Sequence, residues 1–256
     1  MIVHCYINDE CVLEVISVSV EELKLSYFFE NTESFAVPEV FEGVEYPWEA
    51  LQKATQIVDE RVEEKKLQVN EGTLAEGSYL HGNYLIGKGT QIHSQVTIEG
   101  PVIIGENVTI QSGALIRPYT VIGNNCVIGH GCEVKHAIVG NGAKVQSFTF
   151  AGDSVLGQGA RVGSGTIIAN RRFDQGIIGV KVGDTYTKFD TDFFGCVLGD
   201  FSRIGANSAT LPGTCIGPYT WVFPLTRVHG FVPKETRVST SKALNFTPNK
   251  KMKLKP

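Results

Sequence analysis

The sequence predicts an all-β solenoid, a parallel β-helix of hexapeptide repeats, with a short α+β segment before it. The first observation behind this is a branched aliphatic residue at every sixth position over sixty residues: Leu74, Leu80, Ile86, Ile92, Ile98, Ile104, Ile110, Ile116, Ile122, Ile128 and Val134. A helix repeats its apolar residues every three or four positions and a strand every two. A period of six describes a short strand and a corner, and three of these make one triangular coil of about 18 residues that buries its aliphatics only by stacking on the next. The second observation is that the period continues past two one-residue slips, through Val139, Val145 and Ala151 and then Leu156, Val162 and Ile168. It resumes at Leu198, Ile204, Thr210, Ile216, Val222 and Val228. The third is glycine, 28 of 256 residues, gathered inside the repeat where tight corners need it.

Each element follows in order. IVHCYI and CVLEVISVSV read as two strands around the turn Asn8-Asp9-Glu10. FAVPEVFEGVEYPWEA, punctuated by Pro38 and Pro47, is expected to wrap across a surface. Trp48, Leu51, Ile57, Val58 and Val62 form a helical stripe whose first turn suits Pro47. That helix is expected to cover the first coil, and VHGFVPKETRV to close the last, because open sheet edges invite association. The expected organisation is 1–71 as N-terminal segment and connector helix, 72–232 as the solenoid, and 233–256 as a cap with a loose basic tail. The solenoid should hold seven to eight coils. An excursion at 171–193 should leave it, carrying a hairpin in GIIGVKVGDTYTKF.

Composition narrows the function. A net charge of -4 and a pI near 5.9 offer no field for a nucleic-acid backbone. No signal peptide opens the sequence and no apolar run is long enough to span a membrane, so a soluble cytoplasmic protein is expected. The six cysteines form no CxxC pair, and Cys126 and Cys132 hold equivalent inward positions, as small core residues do. His130 and His136 lack zinc-ligand spacing, and no metal is expected.

Arg117 and Lys135 are 18 residues apart and each follows a corner aliphatic, so they should stack on adjacent coils, continuing a column from His81 and Glu99. Stacked cations repel, with Glu99 offsetting part of the cost. The column is either a solvated charge ladder or a phosphate or sulfate site. The nearby slips and excursion, which create concavity in an otherwise flat prism, favour the site. SFTF at 147–150 places Phe148 and Phe150 between the slips, for packing against another subunit or for the same site.

GALIRPYTVIG, CEVKHAIVG, GDSVLGQGARVGSGTIIANRRFD and CVLGDFSRIGANSATLPGTCIGPYTWVFPLTRVHGFVP resemble the acetyltransferase half of the bifunctional nucleotidyltransferase/glucosamine-1-phosphate acetyltransferases, most closely their archaeal-like branch. The resemblance covers about 72–240. It implies a left-handed β-helix and a homotrimer with sites between subunits. It also implies transfer of an acetyl group from acetyl-CoA to the amine of a phosphorylated or nucleotide-linked amino sugar. On the matching motifs it assigns sugar phosphate to Arg117 and Lys135, the reacting end of the substrate to Asn170, and CoA to Ala206 and Pro224. The family's Tyr matches Phe150 here, and its general-base His matches Ser147, a hydroxyl too weakly basic to replace imidazole. Ser147 positioning a water, or His136 acting from the neighbouring corner, are the candidates for that step. A satisfied or solvated His136 is the other reading. The lysine of the family's excursion has only Lys181 and Lys188 as candidates. Residues 1–71 hold Gly43 alone and no Gly-rich phosphate loop, so nucleotidyl transfer is not expected. The rival to an acyl-CoA-dependent enzyme is a non-catalytic, sugar-phosphate-binding trimer.

Overall fold

The computed structural model describes residues 2–7, 10–15 and 20–240. The tail at 249–256 and the turn residues Asn8 and Asp9 lie outside the described residues. Ile2–Ile7 and Glu10–Val15 pair as an antiparallel hairpin. The rest is built on a left-handed parallel β-helix whose three sheets contain nine, eight and nine short strands. In chain order around a coil we call them faces I, II and III. Face I contains Ile92, Ile110 and Ile128, face II Ile98, Ile116 and Val134, and face III Ile104, Ile122 and Val139.

The hexad positions point inward as a continuous aliphatic column, with Ile98, Ile110, Ile116, Ile122 and Ile128 fully buried. The exception is the first coil, where Leu74 is 46% exposed because no coil lies beneath it. The two slips are visible as 17-residue steps: Val121 pairs with Ile138, Val134 with Ala151, and Val139 with Leu156. The solenoid begins earlier and ends later than the hexads alone indicate, from Gln68–Asn70 to Arg237–Val238, which lifts the stack above the expected seven to eight coils. Cys126, Cys132, Cys196 and Cys215 are buried free thiols in this core, and burial pushes Cys126 up to about 12.

The two caps differ from expectation. The connector helix Glu49–Val58 does not cover the first coil; it lies along face III as part of a strap spanning residues 20–67. Face III explains why. Its outward positions Ile103, Val121, Ile138, Val155, Val197, Cys215 and Phe231 form an apolar stripe running most of the solenoid's height, far more surface than one coil end presents. Leu23, Phe28, Val40, Leu51 and Val58 of the strap cover it. At the far end, Phe231–Val232 and Arg237–Val238 join faces III and I, so VHGFVPKETRV builds the last coil rather than closing it.

The excursion carries the expected hairpin, Gly179–Val182 with Thr185–Lys188. It folds back over the strap, where Phe189 stacks on Trp48 with ring centroids 4.0 Å apart. Its two ends are pinned to the solenoid: Phe194 N–H donates to the Asn170 carbonyl at 2.9 Å and Gly195 N–H to the Asp153 carbonyl at 2.8 Å.

Candidate functional site

The edge between faces II and III collects most of the expected residues. Arg117 and Lys135 do lie on adjacent coils, with Ile116 beside Val134 and the Arg117 N–H donating to the Val134 carbonyl. The ion pairing differs from expectation. Arg117 Nη1 is 2.8 Å from Glu133 Oε1, the outward neighbour on the next coil, and Glu99 is not its partner.

The centre of this edge is Asp153, the aspartate of the GDSVLG string, to which the sequence alone assigns no role. Its side chain is 3% exposed. Lys135 Nζ lies 3.1 Å from its Oδ2, Asn170 Nδ2 donates to the same oxygen at 2.5 Å, and His136 Nδ1 is 2.8 Å from Oδ1. Burial works against ionisation of Asp153. The hydrogen bonds from His136 and Asn170, with the Lys135 charge, outweigh it and hold the carboxyl below the ordinary carboxylate value. Both His136 and Asp153 turn the corner with positive φ, +44° and +48°, which fixes the direction of their side chains.

His136 is occupied at both nitrogens. A carboxylate only accepts, so Nδ1 carries the proton toward Asp153, while Nε2 lies 3.1 Å from Thr55 Oγ1 of the connector helix. Its ring therefore bridges strap and solenoid. Phe193, at the return of the excursion, has Lys135 Nζ 4.8 Å and the Arg171 guanidinium 4.5 Å from its ring centre. The Phe150 ring lies across Gly152, close enough that a Cβ there would meet Phe150 Cζ at 2.7 Å and Asn170 Nδ2 at 2.8 Å. Lys181 and Lys188 are exposed on the hairpin strands. Thr55 and Phe193 come from distant segments and carry no motif.

Ser147 is not in this cluster. It sits on the edge between faces I and II, one face-width away, in a column built by coil-to-coil hydrogen bonds. Phe148 N–H donates to the His130 carbonyl, Gly165 N–H to Ser147, Asn207 N–H to Ser164, and Leu225 N–H to Ala206. His130, Ser147, Ser164, Ala206 and Pro224 thus lie on one straight edge. A groove of about 360 Å³ opens beside its upper part, lined by Ala206, Phe223, Pro224, Arg161, Arg203 and Trp221.

The floor of that groove is the outer side of face I. Lys144 is in register with Arg161, Arg161 with Arg203, Arg203 with Trp221, and Trp221 with Arg237. All five are exposed, and among the described residues Lys144, Arg161 and Arg203 make no ion pair. Also among the described residues, no group of three or more His, Cys, Asp and Glu side chains is arranged to hold a metal, and no helix is long and apolar enough to cross a membrane.

With this geometry, comparison with known proteins is direct. The chain belongs to the hexapeptide-repeat acyltransferases, related to the acetyltransferase domains of the bifunctional sugar-phosphate enzymes. Residues 98–222 match the family model described as the GMPPB C-terminal domain. The putative uncharacterized acetyltransferase YaiX of Escherichia coli strain K12 is 33% identical over 175 residues, 68% of this chain and 75% of that protein. The bifunctional sugar-1-phosphate nucleotidylyltransferase/acetyltransferase of Sulfurisphaera tokodaii is 35% identical over 97 residues, 38% of this chain but only 24% of its own length. Among solved structures, LpxA, a UDP-N-acetylglucosamine acyltransferase from Bacteroides fragilis 9343, aligns with a TM-score of 0.45 and 20% identity, over 64% of this chain and 70% of that one.

Proposed function

We propose that the chain is an acyl-CoA-dependent N-acyltransferase, using acetyl-CoA as co-substrate and acting on a phosphorylated or nucleotide-linked amino sugar. The observation that carries this is the ladder Lys144–Arg161–Arg203 beside the Ala206–Pro224 edge. Like charges opposite each other on paired strands destabilise a sheet. Three of them without a carboxylate among the described residues suit a polyanion such as the phosphates of CoA, with Trp221 as an apolar neighbour for the base. From Pro224 down to Ser147 the edge drops three coils, roughly 14 Å at about 4.8 Å per coil, a path suited to an extended pantetheine arm. The acceptor belongs on face II, its phosphate toward Arg117 and Lys135 and its sugar over Phe150; Asn170, which shares the Asp153 Oδ2 with Lys135, holds that same corner rather than the reacting end.

Ser147, at the position where the resemblance implies a general-base His, favours the second reading, a sugar-phosphate-binding trimer without chemistry. An acetyl-transfer assay with glucosamine 1-phosphate separates the two. Turnover supports the enzyme; binding of the sugar phosphate with neither turnover nor CoA binding supports the scaffold. Ser147→His is expected to raise that transfer, because an imidazole returns to the edge along which the thioester is delivered. The proposed assembly is a homotrimer, since faces I and II and the exposed Phe148, Ile167 and Leu225 remain free in a single chain. Light scattering should give three times the chain's 27.9 kDa at micromolar concentration, and a monomer mass would rule the assembly out.

A further inference from the structure

We infer that His130 supplies the general base that Ser147 lacks; this rests on the acyltransferase reading above. His130 stands on the same edge as Ser147 and one coil beneath it, as the register of Ile128 with Val145 and the Phe148 N–H to His130 carbonyl bond require. Its ring is locked. Nδ1 lies 2.6 Å from the Ser112 carbonyl, the Phe148 ring meets it edge-on at 5.0 Å, and a Cβ on Gly113 would lie 3.5 Å from Cε1.

The hydrogen bond decides the tautomer. A carbonyl oxygen only accepts, so Nδ1 carries the proton and the Nε2 lone pair is left to accept one. Among the described residues Nε2 has no partner, and His130 is exposed. His136, the other local imidazole, has both nitrogens engaged by Asp153 and Thr55. The edge that carries His130 is also the one that leads down from Ala206 and Pro224. Lys135 stands five residues further along the same coil, at the opposite edge of face II. Five residues of strand span roughly 17 Å. With side chains reaching in from both edges, that width fits one hexose phosphate held at its phosphate by Lys135 and at its amine by His130.

The neutral amine attacks the thioester carbonyl carbon, forming the C–N bond, while Nε2 takes the ammonium proton. Collapse of the tetrahedral intermediate breaks the C–S bond, and Nε2 returns the proton to the leaving thiolate, giving amide and free CoA thiol.

The test is acetyl transfer to glucosamine 1-phosphate by the full chain, His130→Ala and His130→Gln, each first checked by thermal melting. Both variants should lose about 100-fold or more in kcat, the usual worth of a positioned base. Added imidazole should restore a part of it in His130→Ala, where the ring's space is open, and not in His130→Gln. A purely structural role for the ring gives no such rescue. Variants that keep the parent rate, or lose it with no rescue by imidazole, overturn the inference while leaving the acyltransferase reading intact. A parent chain that transfers no acetyl group under any of these conditions overturns both.

Discussion

Asp153→Ala is expected to be the most damaging single change at the edge between faces II and III, costing about 3 kcal/mol or more of folding stability. One carboxylate holds Lys135, His136 and Asn170, and removing one partner of a buried pair typically costs 3–5 kcal/mol. The lower end applies because Lys135 and His136 are 26% and 29% exposed and keep some hydration. The same residue sets an acid limb. Its folded-state pKa lies below that of an ordinary aspartate, so its contribution is fully present above the ordinary value and is lost as pH falls through the lower, folded one. Chemical denaturation of the parent chain should show stability falling on the acid side of pH 4. Asp153→Asn, which tolerates the same backbone turn, should flatten that limb. An unaltered acid limb in Asp153→Asn would refute the assignment.

The second large effect is on the co-substrate. Arg161→Ala combined with Arg203→Ala should raise the KM for acetyl-CoA by about 100-fold, because each charge-assisted contact to a phosphate is worth about 1.5–3 kcal/mol. The same double variant should melt no lower than the parent, since removing two stacked, unpaired cations relieves repulsion. Raising salt should weaken CoA binding in the parent and much less in the variant. An unchanged KM would remove the ladder from the CoA site.

The solenoid was legible because its core is local and periodic. The residue that packs above Ile116 is found by adding 18, and the slips at 134–139 and 151–156 announce themselves as missing residues. The same arithmetic stacked Arg117 on Lys135 correctly. It failed on their ion pairing because side chains lean sideways as well as along the column, and Glu133 lay nearer to Arg117 than Glu99 did. The strap was half legible: the stripe of Leu51, Ile57 and Val58 gave the helix, but nothing local says which surface it covers. That was decided by the outward column from Ile103 to Phe231, whose members precede hexad positions and look like ordinary strand residues. Thr55 and Phe193 reach the site only through that tertiary packing. Asp153 was in view throughout, yet its three partners are spread over residues 135 to 170 and meet only when 17-residue coils bring them to one corner.

The strap also divides the molecule thermodynamically. It and the excursion share a second apolar core that packs on the outer side of face III, with hydrogen bonds such as Thr55–His136 and Gln158–Asn31 tying it to the solenoid's corners, so it is expected to open as a local unit at less cost than global unfolding. Such an opening parts Thr55 from His136 and Trp48 from Phe189, loosening the acceptor corner. The edge from His130 to Pro224 is made wholly of solenoid backbone and is untouched. On the proposed function, affinity for the sugar phosphate should be reduced by the fraction of time the strap is open, and affinity for CoA should not. Heat or mild denaturant should then weaken the proposed acceptor corner before the proposed CoA edge, so that two ligands would sense two different stabilities of the same chain.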